Sequence, residues 1–271
     1  MRYIFAILVF LSTYAASAQY WFGPAIGGQT TSFVYQEPKY KSDSFNVSSN
    51  YGMQYGMFFI YQASEKYAVQ TELLFQKVRR TVDNYGISTD TVVSKTNYNF
   101  LSLPISLRWN FGGEPVHFYI AGGPVLSYWL GGSGKLYAVE NQEFGQWEPY
   151  KFVFKQSKSS DTQRAVVRPN RVQYGLQVST GTYFDLQSGG RLLFDLRYVF
   201  GHSNMAFNGN TDFKVSPYYH ENFKFRNNTL SLSLSYLFMY DVQLQRKGMS
   251  TIDDSNQRKK KERRKNKRKR H

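Results

Sequence analysis

Five charged side chains recur on the small, polar face of long alternating segments: Glu72, Arg108, Asp185, Asp195 and Arg197. Gathered inside one wall, such charges could line a gated polar pathway or pair with one another. If the wall is an eight-stranded barrel, its interior is only just wide enough for its own side chains. An unpaired charge buried there is costly. Three acids and two bases in that space are therefore expected to pair as a salt-bridged plug. His202-Ser203-Asn204 holds the residue types of a hydrolase, whose base must lie within hydrogen-bond reach of the nucleophile. Adjacent strand residues point to opposite faces, so His202 and Ser203 cannot simply pair, and catalysis is not expected there. His117 and His220 stand alone, without metal-ligand spacing. The chain has no Cys, which removes disulfides, thiolate zinc sites and a Cys nucleophile. No cofactor or metal is expected.

The remaining chemistry is electrostatic. The net charge of +15 over 271 residues is unevenly placed. Arg258, Lys259, Lys260, Lys261, Arg263, Arg264, Lys265, Lys267, Arg268, Lys269 and Arg270 accompany a single acid, Glu262, so this stretch supplies +10. A like-charge block of this kind is expected to be disordered in isolation. In a cytosolic chain it would suggest nucleic acid. The N-terminus points to a different compartment. Met1-Arg2 is a short cationic start, residues 3–14 are mostly apolar, and Ala16-Ser17-Ala18 supplies the small residues of a cleavage site. That pattern predicts a secretory signal peptide over 1–18. An exported tail has no nucleic acid to meet. Peptidoglycan carboxylates, anionic lipid head groups or an acidic periplasmic protein are the partners its charge would suit, set against a merely solvated end.

The elements that must position these residues follow from a period of two between residues 20 and 240. Eight strands are predicted, at about 20–34, 48–61, 67–82, 96–110, 116–130, 170–186, 191–207 and 224–240. In the last, Leu230, Leu232, Leu234, Tyr236 and Phe238 oppose Ser231, Ser233 and Ser235. In the seventh, Leu192, Phe194, Leu196, Tyr198 and Phe200 oppose Arg191, Asp195 and Arg197. A soluble barrel would alternate too, but its water-facing wall is usually rich in Lys and Glu. Here the polar face is mainly Ser, Gly, Gln and Asn, which suits a crowded lumen. Aromatics make up 18% of the chain and cluster near strand ends, at Tyr20, Trp21, Phe22, Trp109, Phe111, Tyr128, Trp129, Phe238 and Tyr240. They are expected to form interfacial girdles. Connections alternate strictly between long and short, the pattern of long outer loops and short periplasmic turns. Both termini then lie on the periplasmic side. The longest outer loop carries Phe144, Trp147, Tyr150, Phe152 and Phe154. These aromatics could recognise a partner, or fold back over the barrel mouth in a hairpin that extends the fifth and sixth strands.

Several stretches resemble the PorT-like outer membrane β-barrel family of Bacteroidetes. They are Asn99-Phe-Leu-Ser-Leu-Pro-Ile-Ser-Leu-Arg-Trp-Asn-Phe111, Phe118-Tyr-Ile-Ala-Gly-Gly-Pro-Val-Leu-Ser-Tyr128, Leu193-Phe-Asp-Leu-Arg-Tyr-Val-Phe-Gly-His-Ser-Asn204 and Asn228-Thr-Leu-Ser-Leu-Ser-Leu-Ser-Tyr-Leu-Phe238. The resemblance implies an eight-stranded outer-membrane barrel over roughly 20–240 and treats the turn at residues 201–204 as structure. The cationic extension after residue 240 departs from the family pattern. The expected fold is therefore all-β: an eight-stranded antiparallel up-and-down transmembrane β-barrel at 19–240, wrapped in outer-membrane lipid, followed by a disordered basic tail at 241–271. The expected role is a non-enzymatic structural or interaction module, with the tail as anchor. A narrow porin-like channel, or an accessory of a type IX secretion or gliding machine, is the alternative.

Overall fold

The structure is a computed structural model that describes residues 19–36, 45–84, 93–137, 147–154, 162–166, 168–186, 189–207, 214–216, 219–220 and 223–240. The expected signal peptide and basic tail lie outside them. The described residues form twelve strands: β1 (Gln19–Tyr35), β2 (Phe45–Gln62), β3 (Tyr67–Asn84), β4 (Val93–Gly113), β5 (Val116–Tyr137), β6 (Glu148–Val153), β7 (Gln163–Ala165), β8 (Val172–Asp185), β9 (Gly190–Gly201), β10 (Lys214–Ser216), β11 (Tyr219–His220) and β12 (Phe225–Tyr240). Eight of them close into an antiparallel ring, β1-β2-β3-β4-β5-β8-β9-β12, with β12 returning to β1. Closure leaves the ring without an edge.

The alternation read from the sequence gives the closed sheet two unlike faces. Leu232 is 60% exposed on the outside, while its neighbour Ser233 is 4% exposed on the inside. Met53, Tyr55, Met57 and Phe59 on β2 and Leu101, Leu103, Ile105 and Leu107 on β4 are likewise exposed outward. In water such a surface would drive association; in a bilayer it is the lipid-facing belt. The interior is layered. Near the long loops an aromatic cluster gathers Tyr98, Phe100, Trp129, Tyr150, Phe152, Phe223 and Phe225. Near the short turns a second cluster holds Trp21, Phe58, Ile60, Tyr119, Tyr183, Leu193 and Leu237. Polar and charged side chains fill the level between.

Three expectations need correction. Trp21 and Trp129 do not belong to the girdles: both are buried in the lumen, while Tyr20, Phe22, Trp109, Phe111, Tyr128, Phe238 and Tyr240 are exposed on the outside. Neighbours along a strand alternate faces, so a run of aromatics at a strand end always splits between lipid and lumen. The seventh ring strand is shorter than expected and stops at Gly201. Beyond it, side chains replace the ladder: the Ser203 hydroxyl accepts from the Tyr174 N–H at 2.9 Å, and the Gly201 N–H donates to Asn228 Oδ1 at 3.1 Å. The fifth strand is longer, because residues 133–136 find a second partner in β6.

That pairing answers the question of the longest loop. β6 forms a hairpin-like extension on β5, and Tyr150 and Phe152 turn inward, almost fully buried. A Cβ at Gly134 would collide with the Tyr150 ring, so the glycine is what admits that ring. Tyr150 also hydrogen-bonds to the Thr96 hydroxyl at 2.8 Å. Phe154 packs against the same cluster, and Trp147 stays partly exposed. Phe144 lies outside the described residues.

Candidate functional site

The middle of the lumen is crossed by an ion pair between β3 and β9, which stand four strands apart in either direction around the ring. Arg197 donates from Nη1 to Glu72 Oε2 at 2.8 Å and from Nη2 to Glu72 Oε1 at 2.5 Å. The same Nη2 reaches Asp195 Oδ1 at 2.9 Å. All three residues are essentially inaccessible to solvent. Bidentate geometry is the strongest form such a pair takes. Remaining acceptors are also filled. Gln70 donates to Glu72 Oε1 at 2.8 Å, and the Tyr119 hydroxyl donates to Asp195 Oδ2 at 2.6 Å.

Arg108 does not join a carboxylate directly, contrary to the expected pairing. Its Nε donates to Asn110 Oδ1 at 2.6 Å and its Nη1 to Gln70 Oε1 at 3.4 Å. Its guanidinium lies 3.7 Å over the Tyr119 ring and 4.8 Å from the Tyr183 ring. Cation–π contact and amide acceptors take the place of an anion. The network therefore closes on itself: Arg108, Tyr119, Asp195, Arg197, Glu72, Gln70 and back to Arg108. Two acids and two bases make it neutral. Gly181 lets it close, since a Cβ there would stand 2.6 Å from the Tyr119 hydroxyl oxygen.

Asp185 belongs elsewhere. It sits at the short-turn rim, half exposed, where Arg191 donates to it at 2.6 and 3.2 Å. It lies further along β8 than Gly181, the partner of Asp195, and so outside the mid-lumen network. Arg191 also covers the Trp21 and Tyr183 rings, both at 4.0 Å, at the short-turn end of the lumen. Arg80, which sequence reasoning did not single out, is buried among Phe33, Tyr98 and Phe225 under the long-loop cap and donates to the Tyr35 hydroxyl. Gln70 and Tyr119 were missed as well, yet they and Arg80 are all buried on the inward parity of their strands.

Between cap and crossbar lies a cavity of about 50 Å³, whose walls include Gln76, Ser102, Ser127, Gln177, Arg197 and Thr229. Gln177 Oε1 and Arg197 Nε find no partner among the described residues. A polar space of this size suits a few water molecules and little more. His202 and Ser203 do not face each other: His202 Nδ1 lies 3.2 Å from the Phe200 carbonyl oxygen, and Ser203 is engaged with the Tyr174 backbone. His117 stacks on Tyr183 with ring centroids 4.7 Å apart. Among the described residues no group of three or more His, Asp or Glu could hold a metal ion.

Solved structures with a similar fold include the outer membrane protein OprG from Pseudomonas aeruginosa, with 11% identity over 83% of this chain and 96% of that one and a TM-score of 0.45. The attachment invasion locus protein Ail of Yersinia pestis shares 15% identity over 80% of this chain and 98% of its own, with a TM-score of 0.35. The outer membrane protease OmpT from Escherichia coli shares 10% over 82% and 96%, with a TM-score of 0.38. No curated protein matches the chain in sequence. The family profile described as outer membrane protein beta-barrel domain matches residues 17–206, which takes in every ring strand from β1 to β9. A wall closed on itself, apolar outside and plugged with paired charges inside, is thus that of an outer-membrane barrel, and the chain belongs to the outer membrane protein β-barrel domain family.

Proposed function

We propose that the protein is a closed outer-membrane barrel that serves as a structural or interaction module, neither conducting nor catalytic, and that it falls in the PorT-like branch of its family. The observation that carries this reading is the Glu72–Arg197 pair, which spans the lumen between opposite walls. The aromatic cap above and Arg191 over the Trp21 and Tyr183 rings below support the same reading. In this reading the long loops face the medium and both termini face the periplasm. The basic residues from Arg258 to Arg270 then reach an anionic partner there, namely peptidoglycan, anionic lipid or an acidic protein. The test is conductance of the purified full-length protein in a planar bilayer. No steady current is expected; a stable, ion-selective conductance would replace the closed module with the channel.

A further inference from the structure

On the outer wall the apolar belt ends on the long-loop side in one registered row, Tyr55, Phe75, Leu101 and Tyr128. Beyond it the outward positions of β3 to β5 turn polar and basic. Lys77 and Asn99 stand one row further on, Arg79 and Asn97 two rows, and Lys95 and Lys135 three. Each row climbs about 5 Å along the membrane normal for a strand tilted near 40°, so the Lys95–Lys135 pair lies about 15 Å beyond the belt. The head-group layer is roughly 5–7 Å thick. Arg79, Lys95 and Lys135 therefore stand clear of the bilayer, in water, and only Lys77 lies at head-group level.

These four cations line an open depression of 810 Å³. Lys95 and Lys135 are direct cross-strand partners, and like charges placed so are destabilising. The Trp147 ring, 5.0 Å from Lys95 Nζ, offsets part of this. None of the four makes an ion pair with another described residue. Asp83 is the one carboxylate among the described residues of the wall. On its inner side the depression reaches Arg80 and Thr96, but the Arg80 guanidinium already lies over the Phe33, Tyr98 and Phe225 rings. The rest of the lining is Ser48, Asn50, Thr81, Asn97 and Tyr51, the last of them 85% exposed. No aliphatic side chain is among these lining residues.

We propose that this depression binds an acidic polysaccharide from the medium, a chain of sugars that carries carboxylate groups. Three observations choose that partner. Four outward cations against one carboxylate call for a polyanion. The height of the patch means that the polyanion arrives through water and not within the bilayer. A protein partner would seek an apolar, charge-poor centre with large anchors, whereas this centre is charged and has no aliphatic residue. A sugar chain asks for what is there. Ser48, Asn50 and Asn97 offer hydroxyl and amide groups to its hydroxyls, and the exposed Tyr51 ring offers a flat apolar surface to a sugar face. Lys95 and Lys135 take one carboxylate between them, whose charge relieves their repulsion, and Arg79 forks onto the next. That this side faces the medium rests on the orientation proposed above.

The test measures how full-length protein in nanodiscs of uncharged lipid binds a free oligouronate, a neutral oligosaccharide of equal length and an oligoglutamate of equal charge. It is repeated with K95Q/K135Q and, separately, with R79Q; the tail is identical in all three proteins and contributes equally. The wild type is expected to prefer the oligouronate to the neutral sugar, and K95Q/K135Q to bind the oligouronate about tenfold more weakly. Tyr51→Ala should weaken the oligouronate and leave oligoglutamate binding unchanged. Carbodiimide coupling of the bound oligouronate should leave amides at Lys95 or Lys135 in addition to any in the tail, located by peptide mass spectrometry. Equal oligouronate affinity in the wild type and both variants overturns the proposal, as does coupling confined to the tail. A preference for oligoglutamate that K95Q/K135Q loses would assign the patch to an acidic protein instead. Nanodiscs expose both faces of the barrel and none of these results bears on conductance, so the closed-module reading stands or falls apart from this one.

Discussion

Arg197 holds two carboxylates with one guanidinium, and each carboxylate has a second donor of its own. Removing the arginine alone leaves Glu72 and Asp195 buried with one neutral donor each and no counter-charge in contact. Arg197→Met should therefore lower the unfolding free energy by about 3–5 kcal/mol, read from urea unfolding in lipid vesicles. Adding Glu72→Gln and Asp195→Asn should restore most of it, since the penalty lies in orphaned charge and not in lost attraction. A single variant as stable as wild type would show that water reaches the site. Strand parity made the inward direction of Glu72, Arg108, Asp195 and Arg197 legible before any coordinates. Ring arithmetic adds that a third and a seventh strand of eight face each other. What parity cannot reveal is depth: Asp185 and Asp195 point the same way but sit in different layers. Nor does it show that Arg108 prefers aromatic faces and amides to an anion.

Strands carry the next level of the argument. Ile105 faces lipid near the middle of β4, between Leu101 and Trp109. Ile105→Lys should cost about 2–4 kcal/mol in bilayer-based unfolding, and Tyr128→Lys at the belt's edge about 0–1 kcal/mol. Equal costs at the two positions would mean the belt is misplaced along the strand. Strand existence and facing were legible because a period of two is hard to mistake over so many residues. Strand ends were less so. β9 ends early because Ser203 and Asn228 side chains take over the hydrogen bonding, and β5 runs on because β6 docks beside it. Both are tertiary events with no local sequence period. The buried Trp21 and Trp129 show the same limit, since a girdle and a lumen plug draw on the same residues.

At the level of the whole molecule, the first and last ring strands are partners, with Gly28 opposite Leu232 at the centre of their ladder. A ring closed this way keeps its shape in detergent. The protein should therefore run faster on a gel before boiling than after, and fractionate with the outer membrane. Recovery as a soluble monomer without detergent would refute the barrel in a membrane. The basic tail acts through length and charge. Its 31 residues from Asp241 would span on the order of 30 Å as a coil. Deleting Arg258 to His271 should leave barrel assembly intact and abolish a salt-sensitive association with peptidoglycan, anionic lipid or an acidic periplasmic protein. The check is a pull-down of both forms at low and high salt. Equal retention at low salt would leave the tail a solvated end.

A link between opposite walls has a mechanical meaning as well. Lateral pressure in a bilayer tends to flatten a thin cylinder into an ellipse. Widening the diameter that joins β3 to β9 would stretch the Glu72–Arg197 bonds, and narrowing it would compress packed side chains. The cross-section is thus braced along that axis at the level of the pair.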